Sequence, residues 1–159
     1  MTITTNDMPN LLAVLDDFRH DFEADYKAHL LEHDRKATGK LLDSITTRVV
    51  VGSDAFEVVC SLADYWKWVE EDTRPHWPPK GALLEWIKAK PVIPYPDSRG
   101  RVPSPESLDY LIRRKIARVG TKGSHDMRET REEIIARYRG RIAQALAADF
   151  TGYIMKALR

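Results

Sequence analysis

The chain has a single cysteine, Cys60, which excludes any internal disulfide framework. Cys60 stands in an alternating apolar run and reads as a small buried hydrophobe rather than a nucleophile. No apolar run approaches the roughly 18 residues a bilayer span requires. Residues 1–9 lack a basic cluster followed by an apolar stretch, so no secretory signal is expected. Folding in a reducing cytoplasm fits both observations. Internal repeats and low-complexity tracts are also missing, and net charge is nearly so, at +1.

What is present is ordinary for a globular chain. Its 159 residues, 43% hydrophobic and 31% charged, are expected to form one domain (residues 1–159) with a real core. The small net charge hides an asymmetry. Residues 1–104 hold 13 Lys and Arg against 17 Asp and Glu, a balance of −4, and residues 105–159 hold 12 against 7, a balance of +5. Two helix faces of opposite sign would explain this, as would head-to-tail pairing with copies of the chain. All four tryptophans, Trp66, Trp68, Trp77 and Trp86, fall within 21 consecutive positions. Aromatics grouped so tightly anchor the protein's own core, a partner or a ligand. Trp66 and Trp86 are expected in the core, and Trp77, between His76 and Pro78-Pro79, as the most exposed.

Residues 10–33 read as a helix, with Leu11, Leu12, Val14, Leu15, Phe18, Phe22, Tyr26, Leu30 and Leu31 at helical spacing and Asp7 or Asn10 as candidate caps. A short helix from Ala37, which Thr38 could cap, leads into a hairpin over residues 46–62 with a turn at Ser53-Asp54. Two strands alone are marginal and need a helix on one face or strands from a neighbouring subunit. Residues 64–90 form a Trp/Pro-rich helical segment that Thr73-Arg74-Pro75 must interrupt and that restarts near residues 79–81. Residues 91–105, with Pro91, Pro94, Pro96, Pro103, Pro105 and charged Asp97, Arg99 and Arg101, form an extended loop. Ser104 or Ser107 caps a further helix with Leu108, Leu111, Ile112, Ile116 and Val119 on its apolar side. That helix stops at the glycines of residues 120–124. A last helix over residues 127–158 carries Ile134, Ile135, Tyr138, Ile142, Leu146, Phe150, Tyr153 and Ile154, with Gly140 and Gly152 as weak points. The fold class is therefore α+β: long N- and C-terminal helices packed on a small antiparallel hairpin, with short central helices.

Catalytic chemistry finds few candidates. Gly120-Thr121-Lys122-Gly123 has its glycines three apart with no preceding strand, so the phosphate-loop pattern fails. His29 and His33 are spaced as a metal pair but lack a third ligand. Glu70, Glu71 and Asp72 point to different faces of any helix, and His76 and His125 have no evident orienting acid. A hydrolase using Asp64, Glu70 or His76 is the weakest reading. No enzyme activity, metal, cofactor, small-molecule substrate or membrane contact is expected. Nucleic-acid binding has more support. Arg113, Arg114, Lys115 and Arg118 form a basic cluster, and Arg128, Arg131, Arg137, Arg139 and Arg141 continue it. Against it, Glu129, Glu132 and Glu133 are spaced for intrahelical pairs with Arg137 and its neighbours.

One ordered set of motifs points to a family. Gly39-Lys40-Leu41 with Ser44-Ile45 is followed by the hairpin and then by Tyr65 to Glu70 with Thr73-Arg74-Pro75. Pro78-Pro79 before Trp86-Ile87 comes next, and then Ile112 to Ile116 with Gly120-Thr121-Lys122-Gly123. Over roughly residues 37–127 the chain resembles the neck and tail-completion proteins of tailed bacteriophages, described as putative tail components. It departs from their pattern at Asp72 and His76, where a glycine is usual near Thr-Arg-Pro. It departs again at residues 124–127, where an aromatic is usual. The resemblance implies a non-enzymatic virion protein, assembled in the host bacterial cytoplasm, that forms or decorates a ring at the head–tail junction. Its partners would be copies of itself and neighbouring neck, portal-adaptor or tail proteins, with non-specific contact to passing DNA. The implied interface residues are Glu70, Thr73, Arg74, Trp77, Pro78, Arg99, Arg101, Arg113, Arg114 and Lys122. A tail terminator, a minor tail protein and a small DNA-binding protein using the basic C-terminal helices are the alternatives.

Overall fold

A computed structural model describes residues 7–33, 38–52, 55–90, 94–96 and 98–158. The turn expected at Ser53-Asp54, Ala37 of the short helix, and Pro91 and Asp97 of the extended loop lie outside the described residues. In chain order the elements are α1 (Pro9–Glu32), α2 (Lys40–Ser44), β1 (Thr46–Val51), β2 (Phe56–Ser61), α3 (Trp66–Glu70), α4 (Leu84–Ala89), α5 (Pro105–Val119) and α6 (Asp126–Ala157). The class is α+β, with long terminal helices, one antiparallel hairpin and short central helices. These elements sort into two compact units.

The first unit joins α1, the hairpin and α6. Leu11, Leu15, Phe22, Tyr26 and Leu30 are the buried positions of α1, and Thr130, Ile134, Tyr138, Ala145 and Asp149 those of α6. Three- and four-residue steps keep each set on one stripe, and Leu31, expected with the α1 set, is exposed because Leu30 takes the inward place beside it. The helices run antiparallel, because Asn10 meets Asp149, Asp17 meets Arg141 and His29 meets Thr130. In the hairpin Thr47↔Cys60, Val49↔Val58 and Val51↔Phe56 share one face. Val49, Phe56 and Val58 pack on Met8, Leu11 and Leu15, while Cys60 packs beside Phe22, Ile134 and Tyr138. Helical cover of one face thus supplies what two strands need. Burial pushes the Cys60 thiol up to about 11, so it stays a thiol at neutral pH. Phe18 meets Tyr138 edge-on, with ring centroids 5.4 Å apart.

Polar contacts complete the seam between α1 and α6. The buried Asp149 carboxylate accepts the Leu11 N–H at 2.8 Å and the Asn10 N–H at 3.1 Å. The first turn of α1 is thereby capped from the far end of the chain; Asn10, a candidate cap by sequence, lies inside the helix, which begins at Pro9, and its side chain donates to Asp149 at 2.6 Å. Tyr138 donates to Asp21 at 2.6 Å, and burial with that bond raises its phenol above the ordinary range. Arg137 reaches Asp25 at 3.0 Å and Arg141 reaches Asp17 at 2.5 Å. The intrahelical partners expected for Arg137 therefore give way to carboxylates of α1, which lies alongside.

The α6 stripe also needs correcting. Ile135, Phe150 and Ile154 were expected on the apolar side and are exposed. Ile134 takes the inward place beside Ile135, and α1 begins at Pro9, level with Asp149, so the turns beyond have no α1 partner.

The second unit holds most of α2 together with α3, α4 and α5. The Lys40 N–H reaches Thr38 Oγ1 at 3.4 Å, and Leu41 is buried. α4 is shorter than expected: successive turns from Pro79 and Gly81 come first, with Gly81 at φ 79°. Ser104 is the cap of α5, accepting the Ser107 N–H at 3.3 Å with Pro105 behind it. Leu111 and Val119, assigned by periodicity to the apolar side of α5, are exposed at 48% and 67%. Ile116 is buried as expected, and Asp109 and Arg113 share the inward stripe with it instead of Leu111 and Val119.

Candidate functional site

The segment from Trp66 to Leu84 takes its shape from two loops and one buried ion pair. α3 ends at Glu70, where the Glu71 N–H closes on the Lys67 carbonyl, and the chain then runs extended. Thr73 forms an antiparallel bridge with Thr121. The Thr73 N–H donates to the Thr121 carbonyl at 2.9 Å, and the Thr121 N–H donates to Thr73 Oγ1 at 3.0 Å. The two hydroxyls are 2.7 Å apart. Farther along, Ser124 N–H meets the Val69 carbonyl at 2.8 Å and His125 N–H the Glu70 carbonyl at 3.1 Å. Asp72 Oδ1 accepts the Gly123 N–H at 2.8 Å and lies 3.6 Å from His125 Nε2. His125 thus has a carboxylate nearby that spacing did not disclose, at a distance too long for a hydrogen bond.

The glycines explain why this contact exists. A methyl on Gly120 would fall inside the Thr73 carbonyl, and one on Gly123 inside the Glu70 carbonyl. Gly120 also adopts φ 75°, ψ −163°, a region essentially restricted to glycine. The Gly-Thr-Lys-Gly segment is therefore a backbone lock against residues 69–73, not a phosphate loop.

The buried pair lies on α5. Arg113 Nε donates to Asp109 Oδ2 at 2.8 Å, with both side chains under 10% exposed. Arg113 Nη1 reaches the Pro78 carbonyl at 3.3 Å, while Asp109 accepts the Gly81 N–H at 3.2 Å and the Leu83 N–H at 3.3 Å. Burial alone would raise the Asp109 carboxyl. The Gly81 N–H, the Arg113 guanidinium and the Leu83 N–H outweigh it and hold the group below the usual carboxylate range. Pro78 to Leu83 is thereby clamped onto α5.

Outside the lock and the clamp lies an aromatic and basic surface. Trp68 is the most exposed tryptophan at 64%, ahead of Trp77 at 53% and Trp86 at 39%, while Trp66 is half-buried. The expectations that Trp86 is core and Trp77 the outermost are corrected. Ile87 takes the inward place on α4, and the Trp68 ring stands outside α3 with its centroid 6.0 Å from His76. Trp77 packs against Tyr110 at 6.1 Å and over the Arg113 guanidinium at 5.6 Å. Arg74, Arg99, Arg101, Arg114 and Lys122 are exposed, and Thr73 is half-buried in its bridge. Arg101 lines a shallow, open depression of about 640 Å³ with Ser104, Glu106 and Tyr110. Glu70, Pro78 and Arg113 are buried, which leaves a partner little of them to touch. Sequence reasoning missed Trp68 and Tyr110 as surface aromatics. It also missed Asp109, whose i, i+4 spacing to Arg113 was the available signal.

The catalytic and metal candidates are spread differently. Glu70 is buried, whereas His76 is exposed with Nδ1 2.8 Å from the Arg74 carbonyl. His29 Nδ1 lies 2.9 Å from Thr130 Oγ1, and no group of three or more potential ligands is placed to hold a metal among the described residues. No described helix is long and apolar enough to cross a membrane. No family model matches the chain, and no curated protein or solved structure matches it significantly.

Proposed function

We propose that this chain is a non-enzymatic structural protein of a tailed-phage virion, forming or decorating a ring at the head–tail junction. The observation that carries the reading is the backbone lock. Thr73-Arg74-Pro75 and Gly120-Thr121-Lys122-Gly123 are two of the motifs on which the resemblance rests. Their backbones meet where no side chain fits: Gly120 lies against Thr73 and Arg74, and Gly123 against Glu70 and Glu71 just before them. Such packing fixes a local conformation, and the same unit leaves Trp68, Trp77 and Tyr110 exposed. Exposed aromatics beside cations suit assembly contacts. The hairpin adds a second support: among the described residues each strand has one partner, leaving an outer edge for augmentation by a neighbouring copy.

The test is composition and place. Particles induced from the strain that encodes the chain, purified on a density gradient, should contain it by mass spectrometry. Gold-labelled antibody should mark the neck. Particles that package DNA and carry tails but lack the chain would overturn the reading, and label at the tail tip would move it to the minor-tail alternative.

A further inference from the structure

α5 carries three exposed cations within five residues of sequence. Arg114, Lys115 and Arg118 are exposed on one face, and no residue three or four positions to either side of them is acidic. Lys122, exposed in the glycine turn, stands four residues past Arg118. None of the four has an ion-pair partner among the described residues, since the one acid–base pair of α5, Asp109 with Arg113, is turned inward. On α6, Arg137 and Arg141 are held by carboxylates of α1, while the exposed Arg131 and Arg139 stand eight residues apart rather than in a row. Arg114 and Arg118 are like charges one turn apart, an arrangement that destabilises a helix unless something neutralises it.

The dimensions suit a phosphate backbone. At 1.5 Å rise per residue, Arg114 and Arg118 are about 6 Å apart along the helix, and Lys122 follows two residues after Gly120 ends it. Phosphates along one strand of duplex DNA advance about 3.4 Å per step along the axis, so cations about 6 Å apart fall near every second phosphate of one strand. We propose that this face of α5 and the following turn binds double-stranded DNA through its phosphates, without base specificity, using Arg114, Lys115, Arg118 and Lys122. The row lies on the outer face of a helix, which can follow a duplex from outside. Single-strand binding would need aromatics inside a basic groove, and here Tyr110 and Trp77 sit at one end of the row. The face offers no Asn or Gln to read adenine edges. None of this depends on where, or whether, the chain sits in a virion.

Fluorescence anisotropy with the full chain and a labelled mixed-sequence duplex of about 30 base pairs tests it. Four neutralised phosphates predict that affinity falls about 150-fold between roughly 50 and 200 mM NaCl. Arg114→Gln with Arg118→Gln should about halve the slope of log affinity against log salt, and Lys122→Gln alone should remove about a quarter. Arg137→Gln with Arg141→Gln should leave the slope unchanged, and circular dichroism should report the same fold in all variants. No binding at the lower salt, an unchanged slope in the α5 variants, or an equal loss in the α6 variant overturns the proposal. Polyglutamate competing equally with the duplex, charge for charge, also overturns it and assigns the face to an acidic protein surface.

Discussion

α1 and α6 meet through side chains: Phe18 against Tyr138, Asp149 under the first turn of α1, and Arg137 and Arg141 on aspartates. The segments around Thr73 and Thr121 meet through their backbones, with glycine where a side chain would intrude. Charge follows the same division. Leu31–Asp43 and Ala63–His125 hold 15 Lys and Arg against 11 Asp and Glu, a balance of +4, which leaves −3 for the rest of the chain. In the first unit Arg137 and Arg141 are paired across the helix seam, and the other unit leaves Arg114, Lys115 and Arg118 outside beside exposed aromatics. An interior built from side chains tolerates changes of size at a graded cost. A backbone contact tolerates none at its glycines.

Gly120→Ala is the sharpest way to break this comparison. The methyl would need both a glycine-only backbone conformation and space occupied by the Thr73 carbonyl. A loss of about 3 kcal/mol or more is expected. In hydrogen exchange the amides of Thr73, Thr121 and Gly123 should lose protection while those of Ile134 and Tyr138 keep it. Equal loss in both units would erase the distinction.

Asp149→Ala probes the side-chain mode. It removes the acceptor for two N–H groups at the start of α1 and should cost about 2 kcal/mol in denaturant unfolding. Unchanged stability would mean that α1 needs no cap from α6. Trp86→Ala is expected to cost about 1–2 kcal/mol, below the roughly 3–5 kcal/mol of a fully buried tryptophan, because the residue is 39% exposed. A cost at the upper value would restore it to a core.

Acid separates the units by residue rather than by direction. Asp109 is held below its ordinary range despite burial, and Glu23 is lowered by the hydrogen bond from Lys27, with Thr47 adding to it. Groups lowered on folding bind more protons when unfolded. Their stabilisation is full only well above the unfolded values, from about pH 5.5 upward, and is lost as pH falls through the folded values. In acid titrations followed by hydrogen exchange, Asp109→Asn should flatten the response around Pro78 to Leu83. The response around Thr47 should remain.

Much of the fold was legible because its signals are periodic or punctuating. Apolar steps gave α1 and α6, β-branched runs gave the hairpin, and Ser104-Pro105 gave the start of α5. Orientation was less legible. Leu111 and Val119 fit the apolar side of α5 by spacing, yet the inward stripe goes to Asp109 and Arg113, because a fully hydrogen-bonded buried pair competes with leucine for an interior position. Trp86 yielded its inward place to Ile87 for a reason no composition rule contains: α4 begins only after the turns at Pro79 and Gly81. The lock between Thr73 and Thr121 spans 48 residues of sequence, and only the glycine spacing hinted at it.

Trp68→Ala should have the smallest effect on folding and so tests what the outward aromatics are for. Trp68 is 64% exposed at the surface of α3, and its ring's nearest aromatic neighbour is the exposed His76. Truncation removes little buried area, so the melting free energy should change by less than about 0.5 kcal/mol. Exposed aromatics that anchor assembly lose far more when truncated, on the order of 2 kcal/mol at a contact centre, which is roughly a 30-fold weaker association. Sedimentation or light scattering over a concentration series reads that difference directly. A variant that folds like the parent and still self-associates, or joins particles, with the same strength would remove Trp68 from the interaction surface. The reading would then rest on Trp77 and Tyr110, where a ring-against-ring contact already offsets part of the exposure.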